Sequence, residues 1–354
     1  GPVVKDINSV INLRLKNLYN INQYYIIGDQ FYKDIIKKKK KFKRIFYKTG
    51  WPRIDLWCQK NSNLYQNKVK EIKKKHGDFI LFSSDFGAVS KKGLKIHLKN
   101  FKKNQNLKPW VNTLKKSYDD YLEFKDLIKI VSKNLNKNII IRPHPSDLFH
   151  SDWHKEFKNE KKIKIIYDDD ISPWILASSC LLHRGCTTAV QAYFYGKSIY
   201  YWKSRNKLEK KDETLSYLIS DKINKIDDFK KLMFRNKNKI SNINKQKLIN
   251  KKIVISNRET ACSKIIKNLK KLKVTREEAF KKNMFDYYKS LFLNEIFRFL
   301  IKLKIKQDNF SKTYIQKHPY RINSKIIKKK TSLLSSNYKF KIKDIKMNLV
   351  EIDR

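Results

Sequence analysis

Acidic residues, cysteine, glycine and proline are all scarce in this 354-residue chain. It has 33 acidic residues against 82 lysines and arginines, so its formal net charge is +49 and a charge-balanced surface is excluded. A field of this sign draws a protein towards polyanions such as nucleic acid or an anionic membrane leaflet. The sequence has no zinc-finger spacing, RNP-like aromatic motif or heptad-bearing basic region, so nucleic acid is not an expected partner.

Low cysteine content and the absence of long apolar runs exclude further classes. The four cysteines form no C-x-x-C pair and no dense framework, so neither a zinc module nor a disulfide-stapled secreted domain is expected. No apolar run reaches the length that spans a bilayer, and the N-terminal segment lacks a signal-peptide pattern. We therefore expect a protein with reduced thiols that lies in the cytoplasm or on the cytoplasmic face of the membrane.

Apolar runs and helical patterns alternate from about residue 78 onwards, and hydrophobic residues make up 40% of the chain. Such alternation is typical of a parallel sheet with helices on both faces, so the predicted fold class is α/β with a Rossmann-type sheet. The predicted strands are 78–83, 138–142, 163–167, 179–183 and 198–202. The predicted helices are 108–134, 172–178 and 187–195.

The two ends of the chain follow different patterns. Two short strands at 24–29 and 44–50, separated by a helix, indicate the end of an N-terminal Rossmann-like domain that is incomplete or atypical, because a full domain needs about a hundred more residues. After residue 273 an aromatic-apolar helix and lysine-dense segments predict a helical basic extension, which either packs on the body or meets anionic headgroups. The predicted domains are 1–75, 76–273 and 274–354.

The first chemical motif is Arg142-Pro143-His144-Pro145, directly after an apolar run. Each proline fixes its own φ and restricts the residue before it, so His144 projects from a stiff turn. An imidazole there can donate to a phosphate, and the Arg142 guanidinium can add a two-pronged contact. The alternative is a histidine that only caps the strand end.

The second motif is the turn Arg184-Gly185-Cys186-Thr187-Thr188, which precedes a predicted helix that ends at Gly196. Backbone N–H groups and two hydroxyls at a helix start can receive a phosphate. An ordinary threonine N-cap is the alternative. For Cys186, a small side chain is expected rather than a nucleophile, because a reactive thiolate needs a base nearby. Loops from neighbouring parallel strands line one crevice, so the two motifs are expected to meet around one ligand.

These motifs resemble the nucleotide-binding half of bacterial surface-carbohydrate biosynthesis proteins, which are similar to GT-B glycosyltransferases. More distant similarity extends to the β-Kdo transferases, polysialyltransferases and CDP-glycerol polymerases that share a His-Pro motif. The resemblance runs from about residue 24 to about residue 270. Besides the two motifs, it rests on the segments Thr49–Asp55, Phe79–Gly87, Ser172–Ala177, Gly196–Ser198 and Asn257–Cys262.

The resemblance implies a metal-independent glycosyltransferase without a resident cofactor. Its donor would be a nucleotide sugar, with CMP-linked Kdo or another nonulosonic acid expected, and its acceptor a glycan or glycolipid of lipopolysaccharide or capsule. Asp85 and His144 are the candidate catalytic residues; Asp85 would act as nucleophile, as general base, or only as a cap on its loop. The candidate donor-binding residues are Arg142, Pro145, Arg184, Gly185, Cys186, Thr187, Thr188, Gln191 and Ser220.

Three positions depart from the family pattern, and two other functions stay open. Asp85 and Trp51 stand where many members have asparagine, and Gln191 stands where related sequences often carry glutamate, which weakens the ribose contact expected there.

One alternative function is a UDP- or GDP-sugar transferase or a CDP-glycerol-type phosphotransferase. The other is a non-catalytic basic protein that binds polyanions on a transferase scaffold.

Overall fold

In the computed structural model the chain forms two compact units, residues 1–269 and 270–354. The residues that the structure describes are 18–84, 86, 94–95, 98–99, 108–135, 137–143, 152–166, 170–203, 214–234, 239–256, 259–272, 292–293, 296, 341–346 and 349–353.

The described strands form a six-stranded sheet and two two-stranded sheets. In chain order the strands are β1 (Tyr24–Ile26), β2 (Phe46–Lys48), β3 (Phe79–Ser83), β4 (Asn138–Arg142), β5 (Ile163–Ile165), β6 (Cys180–His183), β7 (Ser198–Trp202), β8 (Asp221–Ile223), β9 (Lys341–Lys346) and β10 (Leu349–Asp353). The described α-helices are α1 (Asp29–Lys38), α2 (Pro52–Trp57), α3 (Gln66–His76), α4 (Lys108–Leu135), α5 (Asp152–Glu156), α6 (Ser172–Ala177), α7 (Thr188–Phe194), α8 (Leu215–Leu218), α9 (Ile226–Phe234), α10 (Lys239–Lys252) and α11 (Ala261–Leu269).

The six-stranded sheet is parallel throughout and has the strand order β5-β4-β3-β6-β7-β8. This is the Rossmann order, in which the chain first builds outwards from β3 to β5 and then returns to build from β6 to β8. The direction of winding therefore reverses between β3 and β6. In open α/β sheets, ligands bind outside the carboxyl ends of the strands at such a reversal.

Apolar residues on alternate sides of the strands build one core on each face of this sheet. Ile80, Phe82 and their neighbours pack against α4, α5 and α9, with Phe124, Trp153 and Phe229 fully buried. Phe79 and Leu81 face the opposite core, which includes residues of α2, α3, α6, α7 and α10. Central strands covered on both faces need apolar residues at successive positions, which is why the strands read as continuous apolar runs.

The predicted α/β Rossmann-type sheet is therefore confirmed. Strands β3, β4, β6 and β7 lie within one residue of their predicted bounds. Strand β8, which follows Ser220 at the edge of the sheet, was not predicted. None of the described helices is long and apolar enough to cross a membrane.

The N-terminal strands β1 and β2 pair in parallel and are connected through α1 and a 3-10 helix at Lys40–Ile45, so they form a small βαβ unit. Its own core contains Leu18, Ile26, Ile35 and Phe46. The carboxyl ends of the two strands abut the segment that follows α10. There the Val254 N–H donates to the Ile27 carbonyl at 2.7 Å, and a Cβ on Gly28 would lie 1.8 Å from the Lys252 carbonyl oxygen.

The second unit, residues 270–354, contains the antiparallel pair β9 and β10, with a register irregularity between Leu349 and Val350. This extension was predicted to be helical, and the two strands were not predicted. Residues 292–293 and 296 are helical.

Candidate nucleotide-binding site

Three strand ends align at the carboxyl edge of the six-stranded sheet. Ser83 at the end of β3 pairs in register with Arg142 of β4 on one side and with His183 of β6 on the other. Adjacent strands lie about 4.8 Å apart, so the loops that leave Arg142 and His183 begin about 10 Å from each other. The two sequence motifs therefore leave the same edge of the sheet, with β3 between them.

Hydrogen bonds connect the three loops where they begin. The Ser84 N–H donates to the Arg142 carbonyl at 3.2 Å, and the Ser83 hydroxyl donates to Thr188 Oγ1 at 3.4 Å. Thr188 Oγ1 also lies 2.9 Å from Cys186 Sγ. The end of β3 is thus bonded both to the loop after β4 and to the start of α7.

The turn between β6 and α7 begins at Gly185 and exposes Thr187. Gly185 has φ +134°, a backbone conformation that favours glycine, and it redirects the chain after the buried end of β6. Thr187 is exposed, and its side chain makes no capping hydrogen bond at the start of α7. Its hydroxyl therefore does not serve the capping role that was the alternative for this residue.

The buried side chain of His183, at the end of β6, fixes the shape of this turn. Its Nδ1 accepts a hydrogen bond from the Gly185 N–H at 3.0 Å, so the ring proton sits on Nε2, which donates to Ser220 Oγ at 2.8 Å. The Ser220 hydroxyl donates to the Ser216 carbonyl at 2.6 Å, and the Ser216 hydroxyl donates to the Gly185 carbonyl at 3.3 Å. Both backbone polar groups of Gly185 are therefore held by one buried network.

The network requires a neutral imidazole. Burial, together with the positive charges of Arg184 and Lys222, lowers the pKa of His183 to about 3. A protonated ring would carry a hydrogen on Nδ1 and lose its role as acceptor for the Gly185 N–H. At neutral pH His183 therefore acts as a fixed hydrogen-bond partner of the turn.

Arg184 points into the molecule. Its guanidinium forms an ion pair with Asp120 of α4 at 3.1 Å, hydrogen-bonds to the Tyr201 hydroxyl of β7, and lies 5.1 Å from the centre of the Tyr201 ring. The side chains of Arg184 and Asp120 are only 7% and 2% exposed. The Arg184 Nε is buried without a hydrogen-bond partner among the described residues. Arg184 thus connects a helix and a strand beneath the turn.

Two other candidate residues also use their side chains internally. The Gln191 side-chain amide donates to Ser172 Oγ at 2.8 Å, and Gln191 is buried. The Ser172 N–H in turn donates to Asp170 at 2.9 Å, so Asp170 satisfies a backbone donor at the start of α6. Ser220 is buried within the His183 network.

The structure therefore separates the predicted set into groups. Gly185, Cys186, Thr187 and Thr188 lie together on the turn, Arg142 lies half-buried two strands away, and Arg184, Gln191 and Ser220 support them from inside. Asp85, His144 and Pro145 lie outside the described residues. Sequence reasoning missed Asp120, Tyr201 and Ser216, since nothing in their local sequence marks them.

No family model matches this chain, and no curated protein sequence matches it either. Among solved structures it is similar to a variant of the wall teichoic acid polymerase TagF, with 14% sequence identity and a TM-score of 0.45 over 75% of this chain and 62% of that chain. It is also similar to HepE from Anabaena in complex with UDP-glucose, with 11% identity and a TM-score of 0.33 over 75% of this chain and 67% of that one. This chain thus spans less than two thirds of the TagF chain.

Proposed function

We propose that this protein is a glycosyltransferase that takes its sugar from a nucleotide-linked donor, bound at the carboxyl edge of the six-stranded sheet. One observation carries the proposal. The reversal of strand order lies between β3 and β6, where Ser83 and Thr188 join two loops rich in polar groups. A nucleotide phosphate fits such a crevice because it needs several fixed donors at one edge.

The described contacts support a division of labour among the candidate residues. Thr187 and Thr188, on the turn, and Arg142, at the end of β4, would contact the donor phosphate. Arg184, Gln191 and Ser220 would hold the turn in shape, because their side chains are already engaged inside the protein. Preorganised donors of this kind stabilise the charge that develops on a leaving phosphate without having to reorganise.

His144 and Asp85 complete the proposed mechanism. Both follow residues at the carboxyl edge of the sheet, His144 after Arg142 in β4 and Asp85 after Ser83 in β3. His144 would donate a hydrogen bond to the departing phosphate. Asp85 would either attack the anomeric carbon, forming a glycosyl-enzyme bond as the carbon–phosphate oxygen bond breaks, or remove the proton from the acceptor hydroxyl.

For the donor we propose a CMP-linked nonulosonic acid such as Kdo, and for the acceptor a glycan or glycolipid of the bacterial surface. The support for this choice is the resemblance of the Arg-Pro-His-Pro and His-Arg-Gly-Cys-Thr-Thr motifs. A UDP- or GDP-sugar and a CDP-alcohol use the same kind of crevice, so these are the alternatives that the experiment must separate.

A thermal-shift panel of CMP, CDP, UDP and GDP tests the proposal. A ligand that binds only the folded state stabilises it by about 2.7 kcal/mol at a hundredfold excess over its Kd, which is readily measured as a rise in Tm. Stabilisation by CMP above the others supports the CMP-linked donor, and a preference for a diphosphate supports the alternatives. Absence of any response would leave the polyanion-binding protein as the better hypothesis.

Two variants connect binding to the proposed site. Thr187→Val should lower the Tm shift produced by the preferred nucleotide, whereas Thr187→Ser, which keeps the hydroxyl, should not. His144→Ala should abolish sugar transfer while leaving the Tm of the free protein unchanged. Wild-type transfer by His144→Ala would remove this histidine from the mechanism.

A further inference from the structure

The densest concentration of positive charge in the described part of the chain is the segment from residue 37 to residue 44. Its sequence is Lys-Lys-Lys-Lys-Lys-Phe-Lys-Arg, and the chain has no acidic residue between Asp34 and Asp55. Lysine and arginine total 82 of 354 residues in the whole chain, whereas here they fill every position except Phe42. We call the exposed face of this segment the basic surface.

The fold holds these side chains outwards. The segment covers the last turn of α1 and the 3-10 helix before β2, and six of its basic residues are exposed: Lys37, Lys38, Lys40, Lys41, Lys43 and Arg44. Positive charge at the carboxyl end of α1 is also favoured by the helix dipole. This arrangement is therefore an intrinsic, ordered feature of the βαβ unit.

The basic surface lies at the end of the βαβ unit opposite to the carboxyl ends of β1 and β2. In a parallel βαβ arrangement the helix begins near the carboxyl end of the first strand and ends near the amino end of the second. The carboxyl ends, at Gly28 and Gly50, contact the backbone of Lys252 and Val254. The lysines at the end of α1 and before β2 therefore occupy the opposite end of the unit.

An exposed aromatic residue lies among these lysines. Tyr19 is 75% exposed, its ring meets the Phe42 ring edge-on at 4.8 Å, and Lys41 Nζ lies 4.8 Å from its centre. An aromatic ring with a polar tip, next to ammonium groups, suits the headgroup layer of a membrane, where one side is apolar and the other is wet.

We propose that the basic surface docks this protein onto an anionic phospholipid bilayer. Lysines, which outnumber arginine here six to one, carry compact and strongly hydrated charges that are attracted to a diffuse anionic layer, whereas arginine forks are used for bidentate recognition of single phosphates.

Docking would bring the protein to the bilayer that holds a glycolipid acceptor, and this consequence alone rests on the proposed function. The attraction itself depends only on charge and exposure. Lysines near an anionic bilayer act together, and the attraction weakens with added salt.

Sedimentation with lipid vesicles tests the proposal on the full chain. The variant Lys37→Gln/Lys38→Gln/Lys40→Gln/Lys41→Gln/Lys43→Gln removes five charges from the basic surface. The matched control removes five exposed charges from α3: Lys68→Gln/Lys70→Gln/Lys73→Gln/Lys74→Gln/Lys75→Gln. Both variants have the same net charge, so a difference between them reports position and not total charge.

On vesicles of two parts phosphatidylcholine to one part phosphatidylglycerol, the basic-surface variant should bind about tenfold more weakly than wild type or worse, and the control should stay within about threefold. Vesicles of phosphatidylcholine alone should bind none of the three proteins. Equal losses in both variants would overturn the proposal in favour of diffuse attraction by the total charge. Unchanged binding by the basic-surface variant would also overturn it, and would indicate that residues 274–354 contact the membrane instead.

Two further measurements separate this proposal from the others. If the basic-surface variant loses affinity for a duplex DNA oligonucleotide but keeps its affinity for vesicles, the surface binds nucleic acid and the proposal is wrong. The nucleotide-induced Tm shift of the same variant should equal that of wild type, because none of the five substituted lysines is among the residues proposed to bind the donor or to support its turn. If the basic-surface variant loses vesicle binding but keeps the nucleotide-induced Tm shift, the docking surface is supported. If wild type itself shows no nucleotide-induced Tm shift, only the proposed function is refuted.

Discussion

Positive charge occurs in two contrasting environments in this protein. The Arg184 guanidinium is buried beneath the turn after β6, where it is paired with Asp120 and bonded to Tyr201. The lysines of the basic surface are exposed and concentrated in one segment. Removing one partner of a buried pair leaves an uncompensated charge in a medium of low polarity, whereas an exposed charge is hydrated whether or not it has a partner.

The contrast explains why net charge alone says little about function here. A buried charge acts singly, through defined atoms, and its loss changes the fold. Exposed charges act together, through a field that salt weakens, and their loss changes binding while leaving stability nearly untouched. Arg184 is therefore expected to control the geometry of the candidate site, and the basic surface is expected to control location.

The sharpest test of this contrast is Asp120→Asn. The substitution keeps the shape of the side chain but leaves the Arg184 charge unpaired, so we expect a loss of about 3–5 kcal/mol in the free energy of unfolding. Urea denaturation followed by circular dichroism measures it. Asp119→Asn, at an exposed position on the same helix, is the control and should change stability by less than about 0.5 kcal/mol. Equal effects at the two positions would mean that burial does not distinguish them.

His183 offers two substitutions that divide its network. Asparagine can keep the contact of Nδ1 with the Gly185 N–H, whereas glutamine can keep the contact of Nε2 with Ser220. Each loses one buried hydrogen bond, so both His183→Asn and His183→Gln should cost about 1–3 kcal/mol of stability.

Only His183→Gln releases the turn, so it should weaken the nucleotide-induced Tm shift more than His183→Asn does. The same loss of binding in both variants would show that His183 acts through general stability and not through the turn. Ser198→Ala, at a polar position in β7 away from the turn, serves as a control for binding.

These two networks show where sequence reasoning succeeds and where it stops. The apolar runs of β3, β4, β6 and β7 are local signals, and the parallel order follows from their alternation with helices. The Arg184–Asp120 pair joins residues 64 positions apart, and only the tertiary fold brings them together. The family resemblance implied that Arg184 and Ser220 bind the donor, but the local sequence does not say which way a side chain points.

The missed strands have different causes. Asp221-Lys222-Ile223 has one apolar residue and lies at the sheet edge, where burial does not demand an apolar run. In β9, Lys-Ile-Lys-Asp-Ile-Lys places its isoleucines three positions apart, so neither strand alternation nor a helical stripe is clear. Short polar strands of this kind form because a neighbour supplies the hydrogen bonds, and that neighbour is not visible in the local sequence.

The neutral state of His183 predicts a pH dependence. Its pKa is lowered from 6.5 to about 3, so below pH 6.5 the unfolded chain binds a proton that the folded chain does not. Stability is therefore fully present above pH 6.5 and falls by up to about 1.4 kcal/mol per pH unit as the pH drops towards 3. Carboxylates add slopes of their own, so the measured quantity is the difference between wild type and His183→Asn. A difference that stays constant between pH 6.5 and pH 4 would contradict the assignment.

Glu156 tests the intermediate case, since it is half-buried and bridges Lys125 and Lys129. Hydrogen bonds from these two lysines lower the pKa of Glu156, so its contribution is present above the ordinary pKa of a glutamate and disappears as the pH falls below it. Because Lys125 is only 11% exposed, Glu156→Gln should cost about 0.5–1 kcal/mol of the free energy of unfolding at neutral pH.

The control is Glu71→Gln, which breaks an exposed pair with Lys68 and should change stability by a few tenths of a kcal/mol, about the value of an exposed helix pair. If the effects of Asp120→Asn, Glu156→Gln and Glu71→Gln do not decrease in that order, burial is not what separates structural charge from surface charge in this chain.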